Sequence, residues 1–508
     1  VVGPLSVTFR RKSIGRYWDQ RLIASRYATS KVEQRSELSA RRGAADEEAL
    51  MMPRCGVLPL LLTVFALLPA VAVAQTPTQP TAPAPTPDVP QGAPVDRDDD
   101  FVRSPDTVQI LRPEVFPRLK EHLSTLPPFF RDTSLKLRSR TFYFNRQNDD
   151  GTANEALATG GWLQYTSGWL FDTFAVGATY FASFPLYAPE SRSGTLLLTP
   201  GRDEIGTFGE AWGALRYKDY ALLKGYRQKI EDGYVNPQDN RMVPNTFEGV
   251  TLFGKLDWVK YDLGYLTQIK PRDSNDFISM SRQAGAPGDS KGLVLSSVTL
   301  TPIKGLSLYG GNFYGLDTFN TAFGKAEYTH TMSEDLKLQF GVQYTDQRSV
   351  GDERVGDFAT WNVGAGMRVV WRGLSLGTAA HFTGADASIS SPWGTWPGYL
   401  SLLVTDFDRA NEKAFGFGMK YDFGTGTLLP LRIPGLTVQI LYGQGNDRID
   451  PVTGKAQPVT REGDLDIIYN VPRIKGLSLR FRNGYVGRGK PETLKDFRFI
   501  VNYELDLL

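Results

Sequence analysis

Residues 496–508 read DFRFIVNYELDLL, and their side chains alternate in character without a slip. Phe497, Phe499, Val501, Tyr503, Leu505 and Leu507 share one face. Arg498, Asn502, Glu504 and Asp506 share the other, with Ile500 its one apolar member. Successive side chains of a β-strand point to opposite faces, so this stretch predicts a strand that is apolar on one side and charged on the other. A strand of roughly 9–11 residues crosses a bilayer at a tilt. A soluble sandwich would show the same alternation with its apolar face turned inward. Recurrence along the chain, and what precedes the pattern, separate the two.

From Ser134 to the C-terminus the alternation recurs in about eighteen segments, with about 21 residues per strand and connection. The clear segments are 134–146, 171–182, 258–267, 336–345, 361–371, 414–423, 436–443, 464–471, 477–485 and 496–507; those near 247–256 and 291–300 are weaker. Every second connection is short: Thr301 to Gly305, Met332-Ser333, Trp371-Arg372-Gly373 and Val471 to Gly476. The others are mostly long: 183–206, 229–246, 270–290, 385–410 and 445–461. Outer-membrane barrels have short periplasmic turns and long extracellular loops, an asymmetry a soluble sandwich has no reason to keep. Aromatics at strand ends, such as Trp361 and Trp371, or Tyr421 and Phe423, suit interfacial girdles. The fold class expected is all-β, a transmembrane antiparallel barrel.

The rest of the composition fits. The chain has 508 residues, a net charge of +2, 12% aromatics and 51 glycines. No apolar run of about 20 residues follows the first hundred, which excludes a helical membrane protein. One cysteine excludes a disulfide framework and a cysteine-ligated metal. Residues 1–50 show no period and read as an upstream segment outside the working protein; Thr8 to Ser13 only faintly matches a twin-arginine signal. Met51 or Met52, Arg54, the apolar run Val57 to Leu68 and Ala72-Val73-Ala74 make a secretory signal, 51–74, with Gln75 as the expected new N-terminus. Cys55 precedes the apolar run, so it is not a lipidation site and leaves with the signal. Residues 75–100 are Pro/Thr/Ala-rich, an expected disordered linker whose acidic run Asp96 to Asp100 reads as a solvated end. Residues 101–131 hold a short amphipathic helix, Glu114 to Leu123, then Pro127-Pro128, at the periplasmic mouth or within the lumen.

With the apolar face toward lipid, the lumen-facing charges follow. They are Lys136, Arg138 and Arg140 on the first strand, Arg216 on the fourth and Arg368 on the twelfth. The fourteenth adds Lys420 and Asp422, the sixteenth Asp464 and Asp466, the seventeenth Arg480 and Arg482, and the last Arg498. Singly, each is an ordinary wall charge in a wet lumen. Closure makes the first, seventeenth and eighteenth strands neighbours, so their basic side chains share one wall. Such a stripe offers an anion weak successive sites, easy to enter and to leave.

The segments Leu137 to Arg146, Gly160-Gly161, Ser167-Gly168 and Asn240-Arg241-Met242-Val243-Pro244-Asn245-Thr246 resemble the OprD-type substrate-specific porins of Gram-negative outer membranes. So do Asp406-Phe407 with Asn411-Glu412-Lys413, Pro434 to Thr437, Leu477 to Arg482 and Phe497 to Tyr503, in order, over most of 130–508. The resemblance implies an eighteen-stranded barrel, agreeing with the strand count. It implies that loop 229–246 folds inward as the constriction, and that a basic ladder guides small carboxylates. Carried onto this chain, the ladder is Arg140, Arg216, Arg480, Arg482 and Arg498. The chain departs from the family at Leu441, where a basic residue is usual on the fifteenth strand, and in the linker and 101–131, which have no counterpart. The loop offers Asp239 and Arg241, with Glu231 and Asp232 at its start. The expected substrate-binding set is therefore Arg138, Arg140, Arg216, Arg480, Arg482, Arg498, Asp239 and Arg241.

Two other classes compete. A barrel hydrolase needs a nucleophile beside a base, yet the histidines are only His122, His330 and His381, and Asp273-Ser274-Asn275 has none adjacent. No zinc-type pair, phosphate loop or redox motif is present, so no enzyme, metal or cofactor is expected. A general non-selective barrel, or a structural or adhesive one, would not need a one-sided basic wall. The expected partners are small-molecule solutes, outer-membrane lipid and the barrel assembly machinery, engaged through the C-terminal strand. No nucleic acid is expected, and the assembly is a monomer or a weak trimer.

Overall fold

The computed structural model describes residues 112–508; the upstream segment, the signal, the Pro-rich linker and the acidic run lie outside the described residues. Eighteen antiparallel strands close on themselves. They are β1 (Ser134–Gln147), β2 (Ala153–Thr166), β3 (Phe174–Tyr187), β4 (Ile205–Tyr217), β5 (Ala221–Gln228) and β6 (Thr246–Leu256). Next come β7 (Val259–Lys270), β8 (Leu293–Leu300), β9 (Leu306–Gly315), β10 (Phe319–Thr331), β11 (Leu336–Ser349) and β12 (Ala359–Trp371). The last are β13 (Leu374–Thr383), β14 (Lys413–Asp422), β15 (Leu436–Asn446), β16 (Thr460–Asn470), β17 (Leu477–Gly487) and β18 (Leu494–Asp506). A two-residue strand, Ile278–Ser279, adds to the end of β7 within a loop. β1 pairs with both β2 and β18, the latter from Lys136 opposite Asp506 to Gln147 opposite Lys495. No edge is left, as a bilayer requires of a sheet.

The alternation of the last strand is realised as read. Phe497 and Phe499 are exposed toward lipid, whereas Asp496, Arg498 and Glu504 are buried inside. Trp361 and Trp371 are exposed near opposite ends of β12, but Tyr421 is covered, its hydroxyl accepting from Leu429 N at 2.9 Å within the turn after β14. β3 starts later than the alternation suggests and runs to Tyr187, because Phe171 and Asp172 take left-handed backbone in the preceding turn. The length asymmetry has exceptions: the outward connections 148–152 and 316–318 are short, and the inward-side turn 423–435 is long. Gly161 of β2 has φ 135°, and a Cβ there would meet Arg138 O at 1.8 Å.

Inside, apolar side chains of the wall and of the long loops pack into cores on the loop side of the lumen. Phe142, Phe144 and Ile500 face inward and pack with Leu197 and Leu198 of loop 188–204 and Met242 and Val243 of loop 229–245. Ile230, Tyr234 and Val235 pack with Met280 of loop 271–292 and with Ile389, Trp393 and Trp396 of loop 384–412, against Phe247, Leu266, Phe313 and Phe319 of the wall. Leu441, the departure on β15, is 1% exposed beneath Leu402 and Phe407. Apolar character at that position supports a loop.

At the short-turn end, periplasmic by the barrel rule, two small helices precede β1: α1 (Pro117–Leu123) and α2 (Pro128–Arg131). The helix begins three residues later than the sequence suggests, because Pro117 occupies its first turn and Val115 N donates instead to Asp506 O at 2.9 Å. None of its residues is buried. Phe129 O accepts from Gly168 N at 2.9 Å, which seats the segment on the β2–β3 turn.

Candidate functional site

A cavity of about 420 Å³ lies in the lumen between the wall of β1, β17 and β18 and two inward loops, 229–245 and 384–412. Register builds the wall. Asp466, Arg482, Arg498 and Phe144 form one row across β16, β17, β18 and β1. Arg140 lies opposite Asn502, and Arg138 opposite Glu504. Like charges side by side on adjacent strands are unfavourable. Here each is braced by a carboxylate, and each carboxylate serves two guanidiniums.

Asp466 takes Arg480 through Nε at 2.9 Å and Nη2 at 2.5 Å, and Arg482 at 3.0 Å. Asp496 takes Arg498 through Nε at 2.6 Å and Arg146 through Nε at 2.7 Å. Asp239, on loop 229–245, takes Arg138 at 3.1 Å and Arg140 at 2.9 Å. Glu504 takes Arg138 at 2.6 Å and Arg112 at 2.7 Å. A planar fork can hold one carboxylate and still present a donor to another group. Sharing leaves positive charge in excess along this wall.

The opposite side of the cavity differs. It carries Tyr309, Phe323 and Lys325 of β9 and β10 with Trp396 and Pro397 of loop 384–412, whose Leu402 and Leu403 reach back beside the wall. That loop is held by β16: Leu403 N donates to Asp464 at 3.0 Å, and Val404 N and Thr405 N donate to Glu462 at 2.7 and 2.8 Å. Leu403 O in turn accepts from Arg498 Nη2 at 3.2 Å.

The expected residues fall unevenly on this site. Arg140, Arg480, Arg482, Arg498, Asp239 and Arg241 line the cavity. Arg138 is not among its lining residues and braces Asp239 from the short-turn side. Arg216 is not brought to the cavity at all: it stacks over Trp169 at 4.2 Å and donates to Asp172 O at 2.9 Å, beside the β2–β3 turn. Glu231 lines the cavity, while Asp232 turns into the core and accepts from Tyr309 Oη at 2.5 Å. Arg241 donates to Thr195 O at 2.9 Å and lies over Phe144 at 5.0 Å. Burial pushes its guanidinium well below the ordinary value, and Arg498, Arg272 and Arg146 add to the push. Arg146 and Arg272 also line the cavity. The first was legible, since it shares the face of Arg138 and Arg140; the second sits in loop 271–292 with no periodic signal. Among the described residues no cluster of metal-ligating side chains occurs.

The description outer membrane porin, OprD family, matches residues 127–507. The chain belongs to this family. Porin D of Pseudomonas aeruginosa is 23% identical to it over 429 residues, which cover 75% of this chain and 92% of that protein. The solved structure of OccK9 (OpdG) of Pseudomonas aeruginosa superposes with a TM-score of 0.68 at 22% identity, covering 75% of this chain and all (100%) of that one. OpdK of the same organism, solved with vanillate, gives a TM-score of 0.66 at 20% identity over 74% of this chain and 99% of its own. The chain is thus an outer-membrane channel of the OprD family and not an enzyme.

The Asp239 bridge in this OprD-family barrel sets a pH expectation. Burial pushes its carboxyl up, but Arg140, Arg138 and Lys229 more than reverse this and hold it below the usual range. A carboxyl so depressed stabilises the docked loop fully above its ordinary value of about 3.9 and loses that contribution only as pH falls through the lowered value. The part of the single-channel conductance that depends on Asp239 should therefore hold from neutral pH down to about 4 and change only in stronger acid. A D239N channel should lack the acid response. An acid response below about pH 4 that D239N leaves unchanged would sink the assignment.

Proposed function

We propose that this porin passes small carboxylates, aromatic acids among them, by passive diffusion along the arginine wall. The observation that carries the reading is the sharing of each wall carboxylate by two guanidiniums, opposite a face of Trp396, Phe323 and Tyr309. Arginine's planar fork suits a carboxylate, and the aromatic face suits the rest of a planar acid. The cavity, about 420 Å³, is of a size that admits one small molecule. OpdK, a relative, was solved with vanillate, itself an aromatic carboxylate. Each contact must stay weak, because a tight site would block the pore.

Liposome swelling tests this. Benzoate should enter faster than an uncharged solute of equal size, and the preference should shrink as salt screens the wall over a Debye length of about 8 Å at physiological ionic strength. Equal rates for both solutes would leave a general, non-selective channel. Absence of conductance in a planar bilayer would favour a structural or adhesive barrel.

A further inference from the structure

Arg112 lies outside the segment that matches the family, residues 127–507. It nonetheless joins the charge system of the constriction. The Glu504 side chain is 4% exposed, and its two oxygens are divided. Oε2 accepts from Arg112 Nε at 2.7 Å and pairs with Nη2 at 2.7 Å. Oε1 accepts from Arg138 Nε at 2.6 Å and pairs with Nη2 at 2.6 Å. The remaining Nη1 of Arg138 reaches Asp239 Oδ2 at 3.1 Å, and Arg140 Nη1 takes Oδ1 at 2.9 Å. The result is an unbroken alternation of charge: Arg112, Glu504, Arg138, Asp239, Arg140. It begins in the segment before α1, passes through Asp239 of loop 229–245 and ends on Arg140 of β1.

The first member is anchored by backbone. Glu114 forms a parallel bridge to Asp506, in which Val115 N donates to Asp506 O at 2.9 Å and Asp506 N donates to Pro113 O at 3.2 Å. Arg112 is therefore held beside β18 at the periplasmic rim. We propose that Arg112 is a positioning residue for the constriction. By occupying one oxygen of Glu504 it leaves Arg138 free to divide its guanidinium between Glu504 and Asp239, and so it ties the N-terminal segment to the docked state of loop 229–245.

The physical step is a competition for one cation. With Arg112 in place, two guanidiniums share the charge of Glu504. Without it, an enclosed carboxylate is opposed on this side by Arg138 alone, which draws that fork toward both oxygens in the preferred two-bond geometry. The Nη1 bond to Asp239 weakens, and the loop is held by Arg140. The alternative is a rim ion pair with no consequence beyond itself, since pairs exposed to solvent contribute little. The two differ in whether Arg112 and Asp239 act together.

This inference rests on loop 229–245 forming the constriction, and single-channel recordings of the full chain keep the two questions apart. R112Q should raise the frequency of excursions between open-current levels about threefold, as expected for coupled neighbours in one ion-pair network. In a D239N background, the same substitution should add nothing. R112K keeps the charge without the fork and should fall between R112Q and wild type. If D239N itself behaves as wild type, the constriction reading fails. If D239N has its effect but R112Q has none, or if R112Q multiplies the D239N frequency by the same factor, the positioning role is overturned. Should R112Q not assemble, R112K decides, and an R112K channel indistinguishable from wild type overturns the proposal.

Discussion

Carboxylate entry should fall about tenfold when Arg480 and Arg482 become Gln and Asp466 becomes Asn in the same chain, while uncharged solutes should enter as before. The magnitude takes each arginine's contact with the passing solute as weak, on the order of 0.5–1 kcal/mol, or about two- to fivefold per arginine. The third substitution is required by the wall's construction. Asp466 is 3% exposed and holds both guanidiniums, Arg480 at 2.5 Å and Arg482 at 3.0 Å. Removing the arginines alone strips that buried carboxylate of two cations, and breaking a buried pair from one side costs about 3–5 kcal/mol. An R480Q/R482Q channel would then lose flux through poor assembly, and the result would say nothing about selectivity. The triple variant removes the stripe and its brace together. Liposome swelling with benzoate and with a neutral sugar reads the outcome, and a heat-dependent shift in gel mobility reports that the barrel is intact. Unchanged benzoate entry in an intact triple variant would make these arginines structural and leave a channel without carboxylate preference.

The same bracing explains what could be read from the sequence. Strand alternation is a local property, and DFRFIVNYELDLL declares its two faces unaided. Closure then follows from strand number and order, which is why Arg480, Arg482 and Arg498 could be placed beside Arg138 and Arg140 before any contact was known. Partner choice was not legible to the same degree. Asp496 and Arg498 share a face by parity, yet nothing in the pattern says that Arg146, distant in sequence, completes the pair. The inward face is also not uniformly polar. Phe142, Phe144, Ile500 and Leu441 occupy lumen-facing positions, and an alternation rule that assigns apolar residues to lipid treats them as exceptions. They are the seats of loops. Arg216 lies apart from the cavity for a related reason: its parity is right, but its height along the barrel puts it at the turn, on Trp169, far from the loops that narrow the lumen. Height is set by strand register, which alternation alone does not give.

The largest effect on the pore is expected from a residue with no charge. Loop 384–412 read from sequence as a long outer connection carrying the family-like Asp406-Phe407 and Asn411-Glu412, and nothing periodic in it marked Trp393. Trp393 within it is 1% exposed and stacks on Phe319 of β10 at 5.0 Å. Its Nε1 donates to Met280 O of loop 271–292 at 3.0 Å, and its carbonyl accepts from Asn236 N of loop 229–245 at 3.3 Å. Asn236 also closes a pair of 2.8 Å bonds with the backbone of Thr395. Trp393 therefore ties three loops together, its indole holding loop 271–292 and the wall and its backbone carbonyl holding loop 229–245. Truncating a buried Trp to Ala costs about 3–5 kcal/mol. That cost falls on the loops, since Trp393 takes no part in the strand ladders that close the barrel. A loss of that size shifts the balance between docked and undocked loops by more than about a hundredfold. W393A should assemble as a barrel with the usual heat-dependent mobility, conduct with several-fold higher current, and discriminate less between benzoate and a neutral solute. W393F separates the two contributions: it keeps the ring on Phe319 but leaves Met280 O without its donor, a change of about 1–3 kcal/mol. Its current should lie between the other two. A W393A channel with wild-type conductance and selectivity would show that the loops hold the constriction without this contact.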